Sequence, residues 1–574
     1  MAASAFLPSL LRAAPREACC IFTGQGTVSL RSEQKRKLLV SKESSALLML
    51  KPRASHWCMT RNGFLPPYSR RKDEIPEPNP KQEKLRNRRS VISDAVLQDG
   101  VALTEDQEGR RIRKEFSKDA LAKVLAIFGE GTISPFGGAS WEEVMQQTAR
   151  RIGWIDSSFE MVVLSDEEAK SPEFKEKFEL LLQQSNIMMI INVQKEQSQK
   201  WLKSLSGRVP TQIAFDCMPD LDTFLGGSNL SSIGVLDELT AVLPGSNLTE
   251  KRRVLKLVRE SWERQSPDNL WFAVLVLIDS FVTPVKLLKN LRATGLASLQ
   301  CMVKNCGQQI FDCLKDPNCR KALDCLNKCA PTDQVCSYRC IVSYESPQLE
   351  QFTLCILQKH NCLGLDADIL MEPDVQPMPS FRGQPLTYEI AEDLFIGWLN
   401  EFKWSWRVVA GQNAAYDQFP NQYQIFYRGK AKGSLWYDPV FQVRTLGGET
   451  VWRRRHYRVV RGATPGTFYF SVLDNGVVSK EFWRIVFVAD DLSWGLFYYS
   501  GAAAAAGQSY TGAVLVTPDG AWPDVSQAER LNAALEACGI KLWELYRVEN
   551  SPSSEHESAP LGLPEYARGR LSSV

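Results

Sequence analysis

Apolar residues fall into three successive patterns along the chain, and each predicts a different kind of element. Between residues 119 and 300, short apolar runs alternate with longer amphipathic stretches. Asp119–Phe128 reads as a first amphipathic stretch, followed by a Gly/Pro loop and helices over Trp141–Ile152, Pro172–Gln184, Glu196–Leu205 and Thr249–Gln265. Met161–Leu164, Ile187–Val193 and Gln212–Phe215 read as buried strands, so the segment predicts βαβ units with a partly parallel sheet. The most apolar run, Leu270–Ile278, is too short for a spanning helix and suits a buried helix or strand.

The last pattern begins after a proline-rich joint at Pro373, Pro377, Pro379 and Pro385. Eight β-type runs follow: Trp404–Ala410, Gln422–Tyr427, Ser434–Val443, Thr450–Val460, Thr467–Leu473, Phe482–Val488, Trp494–Tyr499 and Gly512–Thr517. Turn signals such as Asp474-Asn475-Gly476 punctuate them, and a helix, Gln527–Ala537, closes the series. Eight short strands joined by tight turns predict an up-and-down barrel of the lipocalin plan, with room for one small ligand.

Between these regions the cysteines decide the reading. Ten of the chain's 15 lie from Cys301 to Cys362, at positions 301, 306, 313, 319, 325, 329, 336, 340, 355 and 362. Cys325/Cys329 and Cys336/Cys340 are each four apart, on one helix face, with a turn between them. Antiparallel folding pairs Cys329 with Cys336 and Cys325 with Cys340. The same nesting suggests Cys306–Cys313 inside Cys301–Cys319, with Cys355–Cys362 as a local loop, although spacing alone does not choose among connectivities. The absence of a C-x2-C pair, with His360 the one nearby histidine, sets disulfides above a metal site. Stable bridges imply an oxidising compartment.

The fold class expected is therefore multidomain. An α/β domain (119–300) precedes a disulfide-rich helical-hairpin module (301–375) and an eight-stranded antiparallel lipocalin-like β-barrel with a C-terminal helix (376–550). Residues 1–72 hold 13 Lys/Arg, nine Ser and three acidic residues, the composition of an organelle transit peptide. Residues 73–118 read as a charged, solvated linker and 551–574 as a disordered tail. A net charge of +2 gives no support for nucleic-acid binding. Gly129-Glu130-Gly131 and Gly137-Gly138 lack a following Gly-Lys-Ser/Thr and read as turns rather than a phosphate cradle.

The cysteine spacing followed by this barrel resembles the violaxanthin de-epoxidase family and its related plant proteins over roughly 301–550. Shared motifs include Trp406–Gly411 with Asn413, Tyr416-Asp417-Gln418-Phe419, Gln422, Tyr498-Tyr499-Ser500-Gly501 and Tyr510-Thr511-Gly512-Ala513-Val514. The resemblance implies reduction of a xanthophyll epoxide, violaxanthin to antheraxanthin and zeaxanthin, with ascorbate as co-substrate and no metal. It also implies a chloroplast location, which the cysteines favour as the thylakoid lumen over the stroma, and a thylakoid galactolipid surface as a partner. By resemblance the catalytic positions are Glu481 as general acid, Asp417 as its partner and Tyr499 as substrate orienter. Trp406, Gln422, Gln508 and Tyr510 fall at substrate-binding positions.

The departures are specific. Glu481 replaces an aspartate, Gln508 replaces an acidic residue, and Gly501–Gly507 forms an alanine-rich insertion. A cysteine pair of the family is absent, with Leu299 and Asn421 in its place, and the barrel holds a lone histidine, His456. These substitutions support an alternative, a non-catalytic carrier or sensor of a carotenoid or other plastid lipid. A third reading has the α/β domain recruiting a protein partner that the sequence does not assign.

Overall fold

The computed structural model describes residues 115–217, 224–225, 228–229, 247–292, 296–330, 333–396, 404–413, 419–431, 434–550 and 558–568. The expected transit segment and most of the expected linker lie outside these residues.

The first region is built on four parallel strands, β1 (Ala122–Phe128), β2 (Phe159–Ser165), β3 (Ile187–Ile191) and β4 (Thr211–Phe215), in the order β2-β1-β3-β4. β1 is where an amphipathic stretch was expected. Its run Val124–Phe128 is buried on both faces, so the polar neighbours Lys118 and Asp119 simulate a helical stripe that the strand does not have. Alternate residues of β1 enter two cores. Val124, Ala126 and Phe128 pack against helices α1 (Trp141–Ile155), α4 (Asn247–Glu263) and α5 (Pro267–Phe281). Leu125 and Ile127 pack towards α2 (Lys175–Gln184) and α3 (Glu196–Ser204). The apolar run of 270–278 is the buried body of α5, and no described helix is long and apolar enough to cross a membrane.

The glycine loop lies between strand β1 and helix α1. Two of its amides are committed elsewhere: Glu130 N–H donates to the buried Asp166 carboxylate at 2.9 Å and Gly129 N–H to the Ile191 carbonyl at 3.0 Å. A Cβ on Gly129 would stand 2.4 Å from the Asn192 carbonyl oxygen, so glycine serves close packing of β1 against the β3 turn.

The cysteine module has four helices: α6 (Leu296–Lys315), α7 (Pro317–Leu326), α8 (Gln334–Ser343) and α9 (Pro347–Thr353), the last running into a π turn, Leu354–Lys359. All ten sulfurs are in disulfides. Cys325–Cys340 and Cys329–Cys336 pair as the nested hairpin of α7 and α8 predicts. The others correct the expectation: they are Cys301–Cys362, Cys306–Cys355 and Cys313–Cys319. Cys306 stands at a kink in α6 and Cys313 about two helical turns beyond it, a rise of roughly 10 Å that exceeds the ~7 Å Cα limit of a bridge. Cys313 instead crosses the turn at Asp316-Pro317 to Cys319, and α6 lies along α9 and the π turn, fastened twice.

The barrel comprises β5 (Trp406–Gly411), β6 (Tyr423–Arg428), β7 (Leu435–Arg444), β8 (Thr450–Arg454), β9 (Tyr457–Arg461), β10 (Thr467–Asp474), β11 (Val477–Val488), β12 (Gly495–Ala503) and β13 (Gln508–Thr517). The pairing runs antiparallel from β6 through β13 to β5, and β5 pairs back with β6, closing the eight-stranded lipocalin-like barrel. The fourth expected strand is broken into β8 and β9 at Arg455-His456. Arg455 leaves the strand to pair with Asp474 at 3.1 Å and to donate to Tyr338 of α8 at 2.7 Å, docking the cysteine module. Helix α10 (Tyr388–Ile396) plugs one end, and α11 (Ala528–Ala537) follows the strands, as expected.

The alanine-rich insertion extends β12, then turns through Ala504–Ala506 to Gly507, whose φ is +63°. Ala503 and Ala506 are buried in the cystine core beside Leu365 and Val477, so the insertion seats the barrel on the disulfide module. Residues 558–568, expected as part of a disordered tail, pack on the barrel. Leu561 is buried, and Arg454 donates to the Pro560 and Gly562 carbonyls.

Candidate active site in the barrel

Strand alternation aims Ser479, Glu481 and Trp483 of β11 inward, with Lys480 and Phe482 outward. One end of the interior is closed by rings. Phe395 of α10 stacks on Phe426 at 4.5 Å and meets Phe468 and Phe497 edge-on at 4.8 and 5.0 Å. At the opposite end the barrel holds an open-mouthed cavity, about 820 Å³ counting the space at its open mouth, walled by Tyr437, Tyr457, Val472, Glu481, Trp483 and Tyr499, among others.

Cross-strand register arranges these residues in rows. Phe470, Glu481, Gly501 and Tyr510 form one row across four strands. Phe468, Trp483, Tyr499 and Gly512 form the next. The glycines are required by the rings lying over them. A Cβ on Gly501 would stand 2.4 Å from the Tyr510 ring, and one on Gly512 would stand 2.6 Å from the Tyr499 hydroxyl. Tyr510 thereby reaches over Gly501 and donates its hydroxyl to Glu481 Oε1 at 2.8 Å, while Trp483 Nε1–H donates to Oε2 at 2.7 Å.

Glu481 is 8 % exposed. Burial raises its pKa; the Trp483 and Tyr510 hydrogen bonds oppose this without cancelling it. Burial, reinforced by the Glu481 carboxylate, holds the Tyr510 hydroxyl well above its ordinary pKa, so it stays a donor. The site thus offers a carboxylic acid that keeps its proton above the usual carboxyl range, beside two aromatic rings. Trp483 stacks between Phe470 at 4.7 Å and Tyr499 at 5.2 Å, forming a flat apolar wall.

The structure brings Glu481, Tyr499, Gln508 and Tyr510 to one cavity. Trp406 is placed elsewhere: it is buried against the plug, with its indole N–H on the Leu394 carbonyl at 3.0 Å. Gln422 is also buried away from the cavity wall, donating to the Phe419 carbonyl at 2.8 Å. Asp417 lies outside the described residues. Sequence reasoning did not single out Trp483, Ser479, Tyr437 and Tyr457. The period of two along Ser479-Lys480-Glu481-Phe482-Trp483 is the signal that places Ser479 and Trp483 with Glu481. Among the described residues, the close Cys/His groups consist mainly of cysteines already paired in disulfides, leaving no thiolate for a metal there.

Residues 298–550 match the family model of the VDE lipocalin domain. Violaxanthin de-epoxidase, chloroplastic, of Nicotiana tabacum is 23% identical over 310 residues, covering 53% of this chain and 59% of that one. The Arabidopsis thaliana protein of the same name is 22% identical over 270 residues, covering 46% and 54%. The chain therefore spans little more than half the length of these relatives. Among solved structures, the siderocalin Ex-FABP is 9% identical with a TM-score of 0.21, covering 26% of this chain and 93% of its own. The kinship indicated by the cysteine spacing and barrel motifs thus holds over the matched region, which is related to violaxanthin de-epoxidase.

Proposed function

We propose that this violaxanthin de-epoxidase-related chain reduces the epoxide ring of a xanthophyll inside its barrel, in the chloroplast and on the lumenal side of the thylakoid, where its five bridges persist. The observation that carries the proposal is Glu481: a buried carboxyl of raised pKa, on the cavity wall, oriented through both oxygens. An epoxide opens when its oxygen is protonated as a C–O bond breaks, and a neutral carboxylic acid supplies that proton. Overall, both C–O bonds break, the two ring carbons become a double bond, and the oxygen leaves as water. Ascorbic acid supplies the two electrons and two protons and becomes dehydroascorbate. The Trp483 and Tyr499 rings hold the end ring flat, and the Tyr499 hydroxyl orients the epoxide oxygen. The two donors on Glu481 keep the acid from turning away, a positional constraint worth orders of magnitude in rate.

One observation favours the carrier reading instead: both Glu481 oxygens already accept a protein donor, as a purely structural buried carboxylate also would. The test is incubation of the oxidised full chain with violaxanthin, galactolipid and ascorbate at acidic and neutral pH, with pigments separated by chromatography. Antheraxanthin and zeaxanthin formed preferentially at acidic pH support the enzyme. Violaxanthin bound one-to-one without product supports the carrier.

A further inference from the structure

The mouth of the barrel cavity has a neighbour. It adjoins a second, larger space of about 1230 Å³, counting its open side, and five residues wall both: Gln334, Asn413, Gln508, Ser509 and Tyr510. These form a neck to which the cysteine module contributes Gln334 and the barrel the rest. Beyond the neck the α/β region supplies one wall, with Leu370, Glu372 and Gln412 among the residues that complete the space. Trp154 and Ile155 come from the end of α1, Trp271 and Phe272 from α5, and Leu287 and Leu288 from the segment after it.

The α1 wall is fixed to the barrel by buried contacts. Gln147 donates to the Gly539 carbonyl at 2.7 Å and to Glu544 at 2.8 Å, Arg151 pairs with Glu544 at 3.1 Å, and the Trp154 ring covers Gly539, where a Cβ would stand 2.6 Å away. The α/β wall of the vestibule is mostly apolar and also carries a polar group. Arg151 and Asp268 are 3.3 Å apart, and Trp271 Nε1–H donates to Asp268 at 3.3 Å.

We propose that the α/β region is the second half of the ligand site, and that one elongated ligand with an oxygenated ring at each end occupies both spaces. The inference rests on the barrel reading above, and adds what holds the rest of the molecule. The plug at Phe395, Phe426 and Phe468 closes one end of the barrel, so a polyene whose ring lies against Trp483 extends towards the neck. What it enters is a trough of tryptophan, phenylalanine and leucine, the side chains that receive an apolar chain. Gln508, where the resembling family carries an acid, leaves this position of the neck uncharged. The Arg151–Asp268 group stands where the distant ring's hydroxyl would be received.

The test compares two probes on the full chain by quenching of intrinsic fluorescence. One is violaxanthin; the other is β-ionone epoxide, a single epoxidised ring with a short tail. Leu287→Trp and Ile155→Trp place bulk in the vestibule at half-buried positions. Each is expected to weaken violaxanthin at least tenfold while leaving the short probe within twofold, and the short probe also reports an intact barrel. Trp271→Ala empties the trough wall instead and is expected to weaken violaxanthin alone by about fivefold. Unchanged violaxanthin affinity in all three variants overturns the inference and leaves the barrel reading standing, as does equal weakening of both probes. A wild-type chain that binds the short probe but not violaxanthin overturns it too. Binding of neither probe to the wild type removes the barrel reading itself.

Discussion

Tyr510 donates its hydroxyl to Glu481 Oε1 at 2.8 Å across Gly501, the residue that separates them in the cross-strand row. The contact exists because the middle position has no side chain: any Cβ there would occupy the Tyr510 ring. An acid on one strand, a donor two strands away and a glycine between them form one device.

Removing the donor alone should move the acid. A hydrogen bond to the charged form lowers a carboxyl pKa, so Tyr510→Phe leaves Glu481 protonated to higher pH. The falling limb of the activity profile is expected to shift upward, with turnover about 10–100-fold lower from loss of orientation. A limb that stays in place would show that Tyr510 does not set the proton affinity of the site.

Gly501→Ala should reproduce that shift and also destabilise the chain by about 1–3 kcal/mol, the usual cost of forcing atoms into a packed interior. Denaturant unfolding of this variant beside Tyr510→Phe separates the two effects. Equal stability of the two variants would mean that the Tyr510 ring can move aside without cost.

The burial of Glu481 also predicts a pH signature in stability. Its folded pKa is raised by burial, so its favourable contribution is complete below the ordinary carboxyl pKa and is lost as pH rises through the raised value. Glu481→Gln abolishes that dependence. The melting temperature of the variant relative to wild type should therefore rise from acid to neutral pH, each unit of pKa shift being about 1.4 kcal/mol. A constant difference across pH would show that Glu481 does not titrate differently in the fold.

Reduction of the disulfides should reach the site through the alanine-rich turn. Ala503 and Ala506 share a core with the cystines Cys306–Cys355 and Cys313–Cys319, and the same turn positions Gln508. Dithiothreitol is expected to lower the melting temperature by several degrees or more and to abolish turnover. Each bridge is worth ~2–4 kcal/mol. Retained turnover in fully reduced protein, with thiols counted, would uncouple the module from the barrel.

Much of the barrel could be read from the sequence because its information is local. A period of two, bounded by turns such as Asn475-Gly476, places a strand wherever it occurs. The nested bridges of α7 and α8 were legible for the same reason. Cys301–Cys362 and Cys306–Cys355 were not, because they depend on α6 lying along the distant α9 and its π turn. β1 was misread because an apolar run buried on both faces has no period of its own, and flanking charges supplied a false one. Trp406 and Gln422 show the limit for the site. Residues in the matching motifs need not share a cavity, and only the closed barrel reveals that α10 fills the end where Trp406 stands. The neighbouring vestibule was illegible throughout, since its walls come from three regions far apart in the chain.

The central claim is that Glu481 supplies the proton to a xanthophyll epoxide. The measurement that tests it most directly is single-turnover conversion of bound violaxanthin with ascorbate at acidic pH, in wild type and Glu481→Gln, with affinity titrated on the same samples. The variant is expected to bind within a few-fold of wild type, keeping acceptor and shape, yet to convert violaxanthin about 10²–10⁴ times more slowly. Conversion by Glu481→Gln at the wild-type rate would contradict it.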